Sequence, residues 1–350
     1  MNIRETLSFD DVLLVPTYSE IESRLHTDVS TSVGGIPLKI PLITSAMDTI
    51  TEWEMAVAIG KLGGMGIVHR FMTKEDQLIQ LEKISCERNH IKSFIPIVAA
   101  VGVKDAEQER LDYLMANLGG EIDMISIDIA NGHSSLMREM IQYVKNRYKN
   151  IPIMAGNVAT AEGYEFLRQS GVNAVRTGIG GGSICKTRIQ TCCGISTFES
   201  LLLINKVKNT DCSVIADGGI RYPKDLVASL AAGADAVMCG NIFSGTLETP
   251  GGMITNADGT KSKMYRGMAS KSIQEDRRGG LKQGTCDEGV TTFVPLKGSI
   301  SEIVDEFVGG LRSGMAYQNS RTISELQENP QWIRVTNAGL NESHAFGTKK

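Results

Sequence analysis

One thiol in this chain stands in a setting that suits a nucleophile. Cys185 lies in Gly178-Ile179-Gly180-Gly181-Gly182-Ser183-Ile184-Cys185-Lys186-Thr187, a loop with four glycines after the β-like run Ala174 to Thr177. Glycines let a backbone turn tightly and approach a ligand, because no Cβ stands in the way. An accessible cysteine among backbone NH donors meets two requirements of a reactive thiolate. Taken alone, the string also fits a glycine-rich turn with an incidental cysteine, since one motif is a weak warrant. Two more loops add weight. Ala216-Asp217-Gly218-Gly219-Ile220 and Met238-Cys239-Gly240-Asn241 have the form of backbone cradles for a phosphate, and Asp217 is suited to accept hydrogen bonds from ribose hydroxyls. A thiolate beside a nucleotide can add to the electron-poor C2 of a purine while a nicotinamide accepts or delivers hydride. The adduct then needs a base to activate water or an acid to expel ammonia, depending on direction.

The elements that must position these loops are short apolar runs: Pro41–Met47, Gly64–His69, Ile95–Gly102, Met124–Ala130, Ile151–Val158, Ala174–Ile179, Cys212–Gly219 and Ala236–Ile242. They are continuous rather than alternating, as strands buried on both faces are. Helical patterns fill most gaps, among them a start at Thr73-Lys74-Glu75-Asp76 and a helix from Asp105 to Leu118. Eight alternations predict a (β/α)8 TIM barrel, with an open doubly wound sheet as the rival. Closure is favoured because the chemistry-bearing loops follow the sixth, seventh and eighth strands, at the rim where barrel enzymes keep their sites. The glycine spacing of 178–183 is not a Rossmann fingerprint, so any dinucleotide has to lie across the barrel mouth.

The chain reads as one catalytic domain over 1–350, with an N-terminal arm at 1–40 and a flap excursion at 243–297. Residues 298–350 form a C-terminal helix and tail. The excursion is too long for a simple connection. The helix after it is announced by Ser299 and Glu302 as a capping box and by Ile303, Val304, Phe307, Val308 and Leu311 at helical spacing.

Composition narrows the function classes. Hydrophobic residues make up 41% and charged ones 22%, as in ordinary globular proteins. The net charge, 36 − 40 = −4, comes with no basic stripe, so nucleic acid is not an expected partner. No apolar run approaches the length of a membrane span, the first residues lack a leader pattern, and the seven cysteines form no framework. A cytoplasmic protein with reduced thiols is expected. Cys192 and Cys193 are expected to be packed thiols, as are Cys212 and Cys239 in strand runs. No His/Cys/carboxylate cluster has transition-metal spacing.

Along nearly its whole length the sequence resembles the IMP dehydrogenase / GMP reductase family. The resemblance rests on Leu7-Ser8-Phe9-Asp10-Asp11-Val12-Leu13-Leu14-Val15-Pro16, Ser45-Ala46-Met47-Asp48-Thr49, Ala155-Gly156-Asn157-Val158-Ala159-Thr160, the Cys185 loop, the Asp217 loop and Tyr265-Arg266-Gly267-Met268. It implies that Cys185 attacks purine C2 and that Thr187 and Glu288 move protons. It implies that Ser183, Gly218, Gly219, Gly240 and Tyr265 hold the 5′-phosphate, with Asn241 where the family usually has serine. Asp217 would hold the ribose, Ser45 and Met47 would line the nucleotide, and Gly267 and Met268 would meet the base edge. Asp128 and Asn157 match positions beside the nicotinamide of NAD or NADP. Carbonyls of Gly180, Gly182 and Cys185 would bind a monovalent cation such as K⁺, completed by Glu342, Ser343 and His344 of a neighbour in a homotetramer. The paired CBS modules that many members carry after the second strand are absent, because only about ten residues (85–94) stand there.

The two branches share this thiol chemistry. Tyr265-Arg266-Gly267-Met268, Thr246-Leu247-Glu248-Thr249-Pro250-Gly251 and Ala338-Gly339-Leu340-Asn341-Glu342-Ser343-His344 are closer to the dehydrogenase. Asp128-Ile129-Ala130-Asn131-Gly132 and a short flap with Gly279-Gly280 are closer to the reductase. Arg277 is the available base for a hydrolytic water, although the tyrosine that usually follows such an arginine is missing. These features favour IMP dehydrogenase (IMP, NAD and water to XMP and NADH), with GMP reductase (GMP and NADPH to IMP and ammonia) as the alternative.

Overall fold

All eight apolar runs are strands of one closed barrel in a computed structural model that describes residues 3–278 and 284–345. In chain order they are β1 (Leu42–Thr44), β2 (Met65–Val68), β3 (Val98–Val101), β4 (Met124–Asp128), β5 (Ile153–Val158), β6 (Ala174–Thr177), β7 (Ser213–Asp217) and β8 (Ala236–Cys239). Each runs parallel to its neighbours, and β8 returns to β1 with Val237 opposite Leu42 and Cys239 opposite Thr44. That pairing rules out the open sheet.

The continuous apolar character of the strands has a direct cause, because both faces are covered. Outward residues such as Leu42, Val68, Ala99, Val101, Ile125 and Val175 join the helix-facing core. Inward ones, Ile43, Met65, Ile67, Val98, Met124, Met154 and Ile215, fill the barrel together with Val33, Ile36 and Leu38. Those last three belong to a hairpin, Thr31–Val33 with Ile36–Leu38, contributed by the N-terminal arm. The barrel is therefore a packed core, open to chemistry only at its rim.

Helices form where the pattern places them. Thr73 caps Lys74–Ile91 by accepting from Asp76 N, and the third barrel helix spans Asp105–Leu118. The arm also supplies Val12–Leu14, which pairs antiparallel with Trp332–Arg334 near the other end of the chain. The excursion is ordered into an antiparallel sheet of Ile254–Thr255, Lys261–Arg266 and Thr291–Pro295, with the helix Lys271–Arg278 between the last two strands.

Two expectations are corrected. The helix Ile300–Tyr317 starts at Ser299, but the carboxylate that satisfies its first NH group comes from Glu248, not Glu302. Ile300 N donates to Glu248 Oε1 and Oε2 at 3.2 and 3.1 Å, and Ser299 Oγ donates to Oε1 at 2.7 Å. A partner distant in sequence thus replaces the local box. Cys192 and Cys193 are exposed, because Cys192 ends a short helix in a left-handed conformation and turns outward, whereas Cys212 and Cys239 are buried as expected. Among the described residues no helix is long and apolar enough to cross a membrane.

Candidate active site

The three glycine loops converge on one rim. Gly218 lies against the thiol loop so closely that a Cβ there would stand 3.0 Å from the backbone of Gly181 and Gly182. A Cβ on Gly240 would stand 3.1 Å from Met47 Sδ and 3.2 Å from the Tyr265 hydroxyl, with Ser45 Oγ at 3.6 Å. The loops after β1 and β8 and the excursion strand therefore meet at one point. The Tyr265 hydroxyl also lies 3.2 Å from Ser183 Oγ. Burial pushes the Tyr265 phenol up to about 12, so it stays protonated and able to donate at any working pH.

Cys185 is exposed, and its Sγ lies 3.1 Å from Thr187 Oγ1, which donates to Glu288 Oε2 at 2.6 Å. The excursion's return segment makes this chain of groups possible. Lys186 N donates to Glu288 O at 2.7 Å, Val290 N to Ile184 O at 2.9 Å, and Cys185 bridges Gly289. On its other side Glu288 N donates to Ala269 O at 3.0 Å and Gly267 N to Val290 O at 2.9 Å. Residues 288–290 are thus stitched both to the thiol loop and to the Gly267–Met268 turn. The Lys186–Asp287 ion pair, at 2.8 Å, adds to that seam. A sulfur, a hydroxyl and a carboxyl in hydrogen-bonded sequence can pass a proton to or from a group held at the sulfur.

Asp217 sits at the end of β7 and Asp128 at the end of β4, joined by residues of β5 and β6. Asn157 donates through Nδ2 to Asp217 Oδ2 and to Gly178 O, both at 2.8 Å. Arg176, only 4% exposed, donates to Asp128 and, through Nη2 at 2.6 Å, to Asn157 Oδ1, and its Nε lies 3.6 Å from Asp217. Burial raises the Asp128 carboxyl, but the guanidinium of Arg176, helped by Arg70, overcomes this and holds it below the ordinary aspartate value. Burial dominates at Asp217 and keeps it raised, with Arg176 and Asn157 offsetting part of the shift. One oxygen on each carboxylate, Oδ2 of Asp128 and Oδ1 of Asp217, accepts no hydrogen bond among the described residues. Those free acceptors match what a nicotinamide carboxamide and a ribose hydroxyl offer.

Arg176 is absent from the residues that motif reading singles out. Its signal was present: a lone arginine inside a run buried on both faces needs a buried carboxylate partner. Arg266, within the Tyr265–Met268 motif, has partners that the motif does not reveal. It donates to Asp48 Oδ2 through Nε and Nη2 at 2.9 and 2.6 Å and to Asp276 through Nη1 at 2.6 Å, tying the helix Lys271–Arg278 to the loop after β1. Asp48 N in turn contacts Met268 Sδ at 3.4 Å, which brings Met268 beside Met47.

Other expected residues are less engaged. Asn241 offers its carbonyl to Lys297 Nζ at 3.1 Å. The carbonyl of Gly182 accepts from Cys185 N at 3.1 Å, while those of Gly180 and Cys185 accept from no described residue. Free main-chain oxygens suit a hard monovalent cation. Glu342, Ser343 and His344 end the helix Asn337–Glu342, and the hydrogen bonds of Ser343 and His344 run back into it. The Arg277 side chain lies outside the described residues.

Similarity to known proteins points the same way. The family model for the IMP dehydrogenase / GMP reductase domain matches residues 6–346. Inosine-5′-monophosphate dehydrogenase of Aquifex aeolicus is 33% identical over 98% of this chain and 95% of that protein. The enzyme of the same name from Cryptosporidium parvum is 35% identical over 98% and 95%. Among solved structures, a cysteine-to-alanine variant of Trypanosoma brucei GMP reductase in complex with guanosine 5′-monophosphate superimposes with a TM-score of 0.90. It is 27% identical and covers 99% of both chains.

Proposed function

We propose that this chain, which belongs to the IMP dehydrogenase / GMP reductase family, works as a GMP reductase. Membership makes it an NAD(P)-dependent oxidoreductase of purine nucleotides. The choice is supported by the tyrosine missing after Arg277, while the Glu288 carboxyl, linked to Cys185 through Thr187 and held by hydrogen bonds on both sides of its segment, can serve as the proton donor. Hydrolysis in the other direction calls for a water-activating base on a flap that replaces the departed cofactor. The candidate that the sequence offers for that task is Arg277, without its usual tyrosine. Expelling ammonia calls instead for a proton donor already at the sulfur while the cofactor is still bound. The choice departs from the dehydrogenase preference carried by segments 246–251, 265–268 and 338–344, a preference that the relatives' names support.

The steps balance as follows. The Cys185 thiolate forms an Sγ–C2 bond to the guanine ring, and the electron pair moves onto N3. The 2-amino group takes a proton relayed from Glu288 through Thr187 and leaves as ammonia when the C2–N bond breaks and the N3 pair returns. Asp128 and Asn157 would hold a reduced nicotinamide, which would supply the hydride that C2 takes up. Breaking of the C2–Sγ bond then restores the thiolate and releases IMP. Tyr265, Ser183 and the backbone of Gly218, Gly219 and Gly240 hold the 5′-phosphate, Asp217 orients the ribose, and Met47 and Met268 flank the base. Carbonyls of Gly180 and Cys185 hold K⁺ in this reading, with Glu342, Ser343 and His344 supplied by a neighbour in a homotetramer.

The dehydrogenase is the second reading, favoured by the name that relatives 30–35% identical carry. Two spectrophotometric assays with the full chain separate them, GMP with NADPH and IMP with NAD, each with and without K⁺. Oxidation of NADPH with one ammonia released per turnover is expected. Reduction of NAD with IMP, and no reaction with GMP, would overturn the proposal.

A further inference from the structure

The loop that carries Cys185 begins and ends at one place. Ile179 and Ile195 face each other in an antiparallel bridge, and everything from 180 to 194 is strung between them. Arg188 lies inside that span. Its Nε donates to Ile179 O at 3.0 Å and its Nη2 to Ile195 O at 2.6 Å, so one guanidinium bridges both ends of the loop. Its stem fills the hollow between them, since a Cβ on Gly180 or Gly194 would stand 2.5 or 2.7 Å from Arg188 Cγ. A planar fork that satisfies two carbonyls at once is a rigid fastening, one that a lysine cannot reproduce. Burial lowers the Arg188 pKa, and the Cys185 sulfur acts in the opposite sense.

What this fastening controls is the next residue back. Thr187 and Arg188 open the same short helix, Thr187–Thr191. Thr187 must keep its hydroxyl within hydrogen-bond reach of both Sγ, at 3.1 Å, and Glu288, at 2.6 Å. Neither contact fixes the helix itself, because Cys185 sits on an exposed turn and Glu288 on a different segment. The helix is anchored at its cap, where Lys186 N donates to Glu288 O at 2.7 Å, and from within the loop through Arg188.

We infer that Arg188 is the positioning residue of the thiol loop: by clamping the carbonyls of Ile179 and Ile195 it holds Thr187 in line between the Cys185 sulfur and the Glu288 carboxyl. The inference rests on Cys185 as the nucleophile and holds for either direction of the reaction.

A double-mutant cycle in the full-length enzyme tests it, with Cys185→Ala as the control. Arg188→Met is expected to lower kcat about 10–100-fold, the cost of an ångström-scale misplacement of a reacting group. Thr187→Ala added to Arg188→Met should cost less than about threefold more, because residues that act as a unit are not additive. Losses that multiply, or an Arg188→Met enzyme within twofold of the parent, would overturn the inference. Arg188→Lys keeps the charge and stem but cannot bridge two carbonyls, so the same cycle on Lys gives the answer should Met fail to fold. Turnover retained by Cys185→Ala would instead remove the nucleophile. Loss in Cys185→Ala beside full activity in both Arg188 variants would remove only the role of Arg188.

Discussion

Replacing Arg176 by methionine tests the electrostatic centre of the site most directly. The guanidinium is 4% exposed and lies between Asp128 and Asp217, each about one-fifth exposed. Removing one member of a buried ion pair typically costs about 3–5 kcal/mol, because the remaining charge is left uncompensated. Asp217 keeps the Asn157 hydrogen bond at 2.8 Å and both carboxylates retain some solvent, so the low end, about 3 kcal/mol, applies. For a chain of 350 residues the unfolding entropy is about 0.7 kcal/mol per kelvin, which makes the expected drop in Tm about 4 °C at neutral pH. The loss has a pH signature. In the parent, Asp128 titrates below its unfolded value, so its stabilisation is present above about pH 4 and fades as the pH falls through the folded value. In the variant both carboxyls are raised, and protonation relieves their repulsion. The gap in Tm between parent and variant should therefore narrow on acidification from neutral toward about pH 4. Thermal unfolding by circular dichroism across that range reads both effects. A Tm within one degree of the parent at neutral pH, or a gap that widens toward acid, would refute the reasoning. The same substitution should raise KM for the nucleotide, since a more readily protonated Asp217 accepts less well from ribose.

Two further substitutions probe the proposed roles. Glu288→Gln keeps the shape and one hydrogen bond to Thr187 but carries no transferable proton, so kcat should fall about 10²–10⁴-fold with KM little changed; a KM effect alone would assign Glu288 to binding. Tyr265→Phe removes a donor expected to face an anionic phosphate, worth about 1.5–3 kcal/mol, or a rise in nucleotide KM of roughly 10–150-fold. Because the phenol is pushed up to about 12, that rise should be constant from neutral pH to moderately alkaline conditions, and steady-state kinetics at several pH values checks it.

Much of this protein was legible before any coordinates. Eight continuous apolar runs meant strands covered on both sides, and covering eight parallel strands leads to a barrel. Local strings also marked the three glycine loops that converge on one rim, because a close approach of backbones needs glycine whatever the surroundings. What the sequence could not supply was the pairing of groups distant along the chain. Glu248 caps a helix some fifty residues later, at Ile300, in place of the nearby Glu302. Arg176 reads as an anomaly within a strand until Asp128, Asn157 and Asp217 appear around it from three other strands. The link from Cys185 through Thr187 to Glu288 crosses about a hundred residues and exists only because the excursion's return segment hydrogen-bonds back onto the thiol loop. Cys192 and Cys193 looked like core by residue type, yet the left-handed end of a short helix turns them to solvent. Residue chemistry and periodicity are local and survive in one dimension, whereas a hydrogen bond depends on a distance that only the folded chain sets.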